Sequence, residues 1–488
     1  MAGIEDLRAA RMQKLERLQK AGFLAYPGVL KRTHTVIQVL DDFAKLAKSL
    51  KEVVVVGRVR TLREHGGSAF FHIEDGSGQL QAYAKKDRLG EKAYELFLNT
   101  FEVGDIVQLR GILFKTKRGE KTLEVADFKM LAKALLPLPE KWHGIQDVEE
   151  RYRKRYLDLL FHKEVKERFK LRSRIIGSLC AFLEQEGFLE VETPVLQPLY
   201  GGAEARPFTT HLNAFDMDMY LRIAPELYLK RLLVGGLEKV YEIGRVFRNE
   251  GVDRSHNPDF TMLEFYWAYA DYKDNMKLTE RMIVSVVKGV FKKTSISYEG
   301  KKIDFKAPWP RLEYDAVIKK YSGIDIAAQN KESIGKKAKE LGVAVEKEMS
   351  KFQIVDAIFK KHCLPKIWNP TFIIHYPAGS KPLAKLLDND QTRHANFQLI
   401  IAGWEIVNAF TEQNDPAAQR KAFEEQERFF AKGMEEAQRL DEDFVEALEY
   451  GMPPATGFGM GIDRLVALLT NSHGLREVIL FPTMKPKS

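Results

Sequence analysis

The chain is 488 residues long, 45% hydrophobic and 30% charged, with 76 basic side chains against 68 acidic ones and a net charge of +8. That length exceeds a single hydrophobic core and implies two or more domains, while no apolar run approaches the ~18 residues of a membrane-spanning helix. Two cysteines, Cys180 and Cys363, exclude a disulfide framework; without zinc-site spacing they read as buried thiols in a reducing compartment. The first residues mix acids and bases around no apolar core, so no signal peptide is expected and the location is read as cytoplasmic.

Residues 4–48 read as helical and amphipathic, with Leu7, Met12, Leu15 and Leu18 at helical spacing. Strand patterns follow at 53–59, 69–75 and 80–84, a helical stretch at 87–99, and two more strands at 105–114 and 121–131. Three strands, a helix and two strands is the order of an OB-fold, which predicts a barrel over about 51–133 within an N-terminal domain of 1–137. The basic run KTKRGEK at 115–121 falls on the last hairpin and by itself reads as a solvated face. Alternation sets Ala69, Phe71 and Ile73 opposite Phe70, His72 and Glu74, and Leu80, Ala82 and Ala84 opposite Gln79, Gln81 and Tyr83. An outward Phe70 beside amide side chains suits a platform for single-stranded nucleic acid. It equally suits an aromatic that merely covers a neighbouring strand, and these residues alone leave both readings open.

The proline-rich LLPLPEKWHG at 135–144 reads as a linker, extended over 138–163 to include the basic, aromatic RYRKRYLDLL. A second domain over 164–488 is predicted to hold a helix at about 164–187 ending at Gly187, acid- and arginine-rich strands, a Lys-rich helical section at about 273–365, further strands and a terminal helix. Its densest chemistry is VYEIGRVFRNEGVDRSHNPDFTMLEFYWAYADY at 240–272, two strands around a polar loop with Gly251, Asp253, Asn257 and Pro258 as turn residues. Alternation places Glu242, Arg248 and Glu250 on one face of the first strand, and Phe260, Met262, Glu264 and Tyr266 on one face of the second. Arginine beside acids and facing an aromatic ring suits a nucleoside triphosphate, with Arg gripping phosphate and the ring stacking on a purine. So much charge on a strand-forming segment is costly to bury without a ligand.

FRNEG with HNPDFTMLEFYWAYADY resembles motif 2 of the class II lysyl-tRNA synthetases. GFLEVETPVL at 187–196 is similar to motif 1, and GFGMGIDRLVALL at 457–469 to motif 3, a glycine-rich turn opening a helix with Arg464 in its first turn. GGAEARPF at 201–208, RIAPELYLKRLLVGG at 222–236 and WEIVNAFTEQNDP at 404–416 resemble the family's amino-acid-binding segments, and the likeness runs through the barrel. Gly457, Gly459 and Gly461 follow a GxGxG spacing with no βαβ unit, so a dinucleotide fingerprint is rejected.

The resemblance implies an α+β chain: an N-terminal OB-fold barrel followed by a class II catalytic domain with a mainly antiparallel sheet flanked by helices. It implies lysine activation by ATP with Mg²⁺, transfer of lysyl to tRNA(Lys), and a homodimer through motif 1. On it, Arg248 and Arg464 are the catalytic cations, and Glu250, His256, Phe260 and Glu405 bind ATP with them. Gly202 and Glu226 would hold the lysine α-amino group. Glu264, Tyr266 and Glu412 would read the ε-ammonium, which when buried needs opposed carboxylates and acceptors, and Asn408 would meet the carboxylate. Arg58, Phe70 and Gln81 would read the anticodon. Asn408 shares a strand face with Glu412 but Glu405 does not, so the strand is either bulged or frayed there. Gln398 stands where the family has a metal-binding glutamate, leaving Glu405 as the charged metal ligand. Lys381 stands where serine is usual, and Lys381, Trp404 and Val407 read as local repacking.

The aspartyl and asparaginyl members of the fold need a cation in the specificity pocket where this chain offers Glu412. Paralogues that lysylate elongation factor P lack the barrel. A non-catalytic RNA-binding relative would be expected to have lost Arg248, Arg464 or Glu250.

Overall fold

The computed structural model describes residues 3–139, 145–346, 349–434 and 436–487, in two units, Met1–Ile145 and Gln146–Ser488. The first begins with helix Ile4–Lys20 and resumes with short helices Val36–Asp41 and Phe43–Ser49. The continuous helical reading of 4–48 fails between them, where Gly22 takes φ 81° and Pro27 follows, each a helix breaker. Strands β1 (Val53–His65), β2 (Ser68–Glu74), β3 (Gln79–Lys85), β4 (Ile106–Lys115) and β5 (Lys121–Ala132) close a barrel in the order β1-β2-β3-β5-β4. Pairing is antiparallel except for β3 with β5. Helix Glu91–Thr100 lies between β3 and β4 in sequence and sends Phe97 into the core. The expected inward residues, Ala69, Phe71, Ile73, Leu80, Ala82 and Ala84, are all buried, so the two-residue period fixed both faces of the barrel wall.

Part of the expected linker, 140–144, lies outside the described residues. The rest does not behave as one. Helices Val148–Arg153 and Arg155–Phe161 fold into the second unit. Buried Arg155 pairs with Asp158 and donates to the carbonyls of Arg476, Ile479 and Leu480, the partners an enclosed guanidinium requires. Helix Lys163–Gln185 ends at Gly187 (φ 84°), where the Phe188 amide bonds back to the Leu183 carbonyl, a left-handed glycine terminus.

Beyond it come β6 (Leu189–Glu190), a small sheet of β7 (Leu196–Gln197), β8 (Phe208–Leu212) and β9 (Met217–Leu221), then β10 (Lys239–Phe247) and β11 (Asp259–Ala268). The Lys-rich section is not helical throughout. After helix Tyr272–Phe291 it forms a hairpin of β12 (Ser295–Tyr298) and β13 (Lys301–Asp304), because Glu299 and Gly300 both take positive φ in the two-residue turn that suits strand twist. Short strand β14 (Arg311–Glu313) and several short helices follow, then β15 (Thr371–Ile374), a small pair of β16 (Leu386–Leu387) and β17 (Asp390–His394), β18 (Asn396–Ile401), β19 (Trp404–Thr411) and β20 (Ala455–Gly461).

The main sheet has eight strands in the order β14-β15-β18-β19-β20-β11-β10-β6, antiparallel except at its two edge pairs. One face packs on helices Lys163–Gln185 and Tyr272–Phe291 through Leu263, Phe265, Phe397 and Phe458. The other carries Met262, Glu264, Tyr266 and Asn408 and forms the floor of two cavities. Among the described residues no helix is long and apolar enough to cross a membrane.

Candidate functional site

The β10–β11 ladder ends at the pair Phe247–Asp259. Arg248 and Glu250, expected on the face of the first strand, therefore sit in the loop beyond it. Pro258 has no N–H to continue the ladder, and the Asn249 amide turns away to the Arg206 carbonyl. Glu242 is also displaced from the expected group: buried, it accepts from Arg222 and Thr193 and serves the frame rather than a ligand.

The first cavity, about 220 Å³, is lined among others by Arg248, Glu250, His256, Phe260, Glu405 and Arg464, which brings together all six residues assigned to the nucleotide. The Arg248 guanidinium lies 5.2 Å from the Phe260 ring centroid, within cation–π range. Arg464, in the first turn of helix Ile462–Leu469, donates to the Glu405 carbonyl at 3.1 Å and approaches His256 Nε2 at 3.4 Å. His256 Nδ1 lies 2.9 Å from Asp253, so the ring is held from both sides.

A second cavity of similar volume adjoins it and shares Glu204, Arg248, Met262, Asn408 and Gly459. Gly202, Glu226, Glu264 and Tyr266 line it. Glu226 opens helix Glu226–Val234 directly after Pro225, as expected of a proline-led helix start. Tyr266 donates to Glu264 at 3.1 Å, and burial, reinforced by Glu226, pushes the Glu264 carboxyl up to about 8.

Glu412 does not line this cavity. It is fully buried and pairs with Lys230, whose ammonium also meets Glu226 at 2.6 Å between the rings of Phe410 and Phe444. Burial alone would lower the Lys230 ammonium, but Glu226 and Glu412 more than offset it; burial raises both acids. No donor among the described residues meets Glu412 Oε1. That oxygen lies against Gly457, which lines the cavity.

The glycines at 457–461 form strand β20, not the expected turn. A Cβ on Gly457 would stand 2.6 Å from Tyr266 Cε1 and overlap Glu412, and one on Gly459 would stand 2.9 Å from Met262 Cε. Bare backbone here leaves room for side chains of β11 and for Glu412, just beyond β19. A bulge settles the position of Glu405: Val407 pairs with Leu399 but Glu405 with Ile400, leaving Ile406 extra and rotating Glu405 to the cavity side.

Of the departures read as repacking, Val407 is core and Trp404 packs against it with Arg254 5.9 Å away. Lys381 is different. It lines the second cavity and donates to Asn408 Oδ1 at 2.9 Å. Lys381, read from the sequence as repacking, thus lines the site, and Lys230, not singled out from the sequence, lies beneath it. For Lys230 a signal existed: a Glu-Lys pair four residues apart in a helix rich in leucine.

In the first unit, Arg58, Phe70 and Gln81 all lie on the outward side of β1, β2 and β3. Arg58 donates to the Gly104 carbonyl at 2.7 Å, and Phe70 meets Tyr83 with ring centroids 4.5 Å apart.

Residues 147–485 match the family of class II tRNA synthetases (D, K and N), and residues 53–131 match the OB-fold nucleic acid binding domain. The chain is 50% identical over 485 residues to a lysine–tRNA ligase of Carboxydothermus hydrogenoformans, covering 99% of each. It is 50% identical over 487 residues to one of Pelotomaculum thermopropionicum, covering 99% of this chain and 96% of the other. With one of Thermotoga maritima it shares 46% over 488 residues, 99% and 97%. With the barrel, the eight-stranded sheet and the paired cavities in place, the chain belongs to the class II tRNA synthetases of the D, K and N group.

Proposed function

We propose that the chain activates L-lysine with ATP to lysyl-adenylate and transfers lysyl to the 3′-terminal ribose of tRNA(Lys), in keeping with relatives named lysine–tRNA ligase. One observation carries the choice of amino acid. Glu264 on the floor of the second cavity has no ion-pair partner among the described residues, and Glu412 Oε1, behind Gly457, meets no donor, Lys230 being held between Glu226 and the other oxygen of Glu412. Those acid oxygens complement an ammonium on the ligand's side chain; of the cations that line the cavity, Arg248 also lines the first one and Lys381 bonds to Asn408, which lines both. Gly202 and Glu226 take the α-amino group, and Glu264, Tyr266 and Glu412 the ε-ammonium. Asn408 and Arg248 direct the carboxylate toward the first cavity.

There Phe260 stacks on adenine, Glu250 and His256 contact the nucleotide, and Arg464 holds its γ-phosphate end. The lysine carboxylate oxygen bonds to the α-phosphorus as the bond to pyrophosphate breaks, its electron pair leaving with pyrophosphate. No protein nucleophile is needed; Arg248 and Arg464 position the reactants and neutralise charge. Among the described residues no three of His, Cys, Asp and Glu converge as a metal-ligand set. Glu405 in the nucleotide cavity still fits one Mg²⁺ held mainly by ATP phosphates, since that ion needs only one or two carboxylates from protein. Bound there, Mg²⁺ supplies charge neutralisation on the phosphates.

The first unit serves as the anticodon-binding domain through Arg58, Phe70 and Gln81, and the second as the catalytic domain. Exposed Leu189, Val195 and Leu196, in the segment resembling motif 1, support a homodimer. A cytoplasmic location accords with tRNA and ATP as substrates. Lysine-dependent exchange of pyrophosphate into ATP, run against all twenty amino acids, tests the reading; exchange driven best by aspartate or asparagine overturns it.

Two outcomes follow at this level. Phe70→Ala is expected to weaken tRNA binding by about 1–3 kcal/mol, the worth of one base stacked on an aromatic, with adenylate formation unchanged. Equal losses in both assays would make Phe70 a cover for Tyr83 only. The second concerns protons. A carboxyl raised to about 8, as Glu264 is, is mostly protonated at pH 7, whereas an ammonium partner favours the carboxylate. Lysine binding is therefore expected to release protons, and affinity to rise with pH, at most about tenfold per unit per proton, flattening above pH 8. Calorimetry at pH 7 in two buffers of different ionisation enthalpy reads the release directly; identical heats would show that Glu264 is already ionised.

A further inference from the structure

The two departures Lys381 and Gln398 meet in one cluster. Lys381 Nζ bonds Asn408 and lies 5.2 Å from the Tyr376 ring centroid. The Tyr376 hydroxyl donates to Gln398 Oε1, and Gln398 stands opposite Asn408 across β18 and β19. Asn408 lines both cavities, so Lys381 sits where they join. A second ammonium, Lys360, pairs with Asp356 at 2.8 Å and feels Glu405 and Glu204. These are the same acids that face Lys381.

This donor set does not suit a divalent cation at position 398. The amide oxygen of Gln398 is neutral and already accepts from Tyr376, and an ammonium lies over that same ring. Like charges repel strongly where water is scarce. Burial pulls the Lys381 ammonium below its ordinary range even though Glu405, Asp356, Glu204 and Glu226 oppose it.

Resting on the lysine and ATP reading above, we propose that Lys381 binds the anion formed where the two cavities join, the lysine carboxylate with the ATP α-phosphate, and takes the charge-neutralising place of a divalent ion held at position 398. The ammonium keeps its proton throughout. It donates a hydrogen bond to an α-phosphate oxygen that gains charge as the carboxylate oxygen bonds to phosphorus and pyrophosphate departs. Asn408 holds Lys381 in place for that contact.

The test uses the full chain and two readouts. In pyrophosphate exchange, Lys381→Met, which keeps the stem and removes the charge, should lower kcat on the order of 10²-fold, as for loss of one preorganised donor, with the lysine KM within about threefold. Lys381→Arg should restore most of the rate. Separately, Mn²⁺ bound in the presence of adenylyl imidodiphosphate is counted by electron paramagnetic resonance. The double variant Lys381→Ser, Gln398→Glu should bind one more Mn²⁺ per chain than wild type. Wild-type exchange rates in Lys381→Met, or equal Mn²⁺ counts in wild type and the double variant, overturn the proposal. Failure of wild type to exchange with lysine would instead overturn the reading of function, and the Mn²⁺ count would still decide the role of Lys381.

Discussion

Glu412→Gln is expected to raise the lysine KM in pyrophosphate exchange by roughly 30-fold to several thousand-fold, equivalent to about 2–5 kcal/mol for truncating one partner of a buried charge pair. The ATP KM should stay within about threefold, because Glu412 lies behind Gly457 on the amino-acid side. The physical cause has two parts. The neutral amide no longer opposes the incoming ε-ammonium, and Lys230 loses one of its two carboxylate partners. A thermal melt of the same variant separates them: a large KM effect with a small change in melting temperature assigns the loss to the ligand. An unchanged lysine KM would reduce Glu412 to a structural counter-charge for Lys230.

Lys230→Met is expected to cost about 3–5 kcal/mol of folding stability, the usual penalty for stranding a buried ion-pair partner, because Glu226 and Glu412 remain enclosed without their cation. The pH dependence carries the diagnosis. In wild type the raised Lys230 contributes stability that is complete below its unfolded value near ~10.4, so nothing is lost from it between pH 6 and 8. Burial raises both acids even against Lys230, which lowers them, and its removal in the variant raises them further. A carboxyl raised on folding costs nothing below its unfolded value of ~4.3 and costs more as pH climbs toward the folded one. Chemical denaturation at pH 6 and pH 8 should therefore show a larger deficit at pH 8. An equal deficit at both values would mean that the loss is packing against Phe410 and Phe444 rather than charge.

The barrel was legible because one of its faces is buried, so a two-residue period has a single consistent reading; Phe71 inward and Phe70 outward followed from it. Arg248 and Glu250 could be nominated from resemblance but not placed, since where β10 stops depends on Pro258 and on the Arg206 carbonyl across the fold. The hairpin within the Lys-rich section was hidden by its composition, although Glu299-Gly300 between alternating residues is a turn signal. Lys230 looks like half of a surface pair until β19 brings Glu412 over it. Lys381 lies in a segment with no periodicity, and only the contact with Asn408 shows where it points. The local period placed residues correctly along the barrel strands but failed where a strand stops, as at Arg248 and Glu250.

Strand β20 presents main chain rather than side chains to the amino-acid cavity at Gly457 and Gly459, and this constrains redesign. A wall without side chains has nothing to trim, so every substitution there subtracts space. An enzyme reshaped to accept a lysine bearing an acyl group on its ε-nitrogen must gain its volume from Met262, Tyr266 or Phe410, which line the same cavity from β11 and β19. Of the three, shortening Met262 removes no hydrogen-bonding or ring partner of the Lys230 cluster, so the search for enlarged variants is best begun on that side chain.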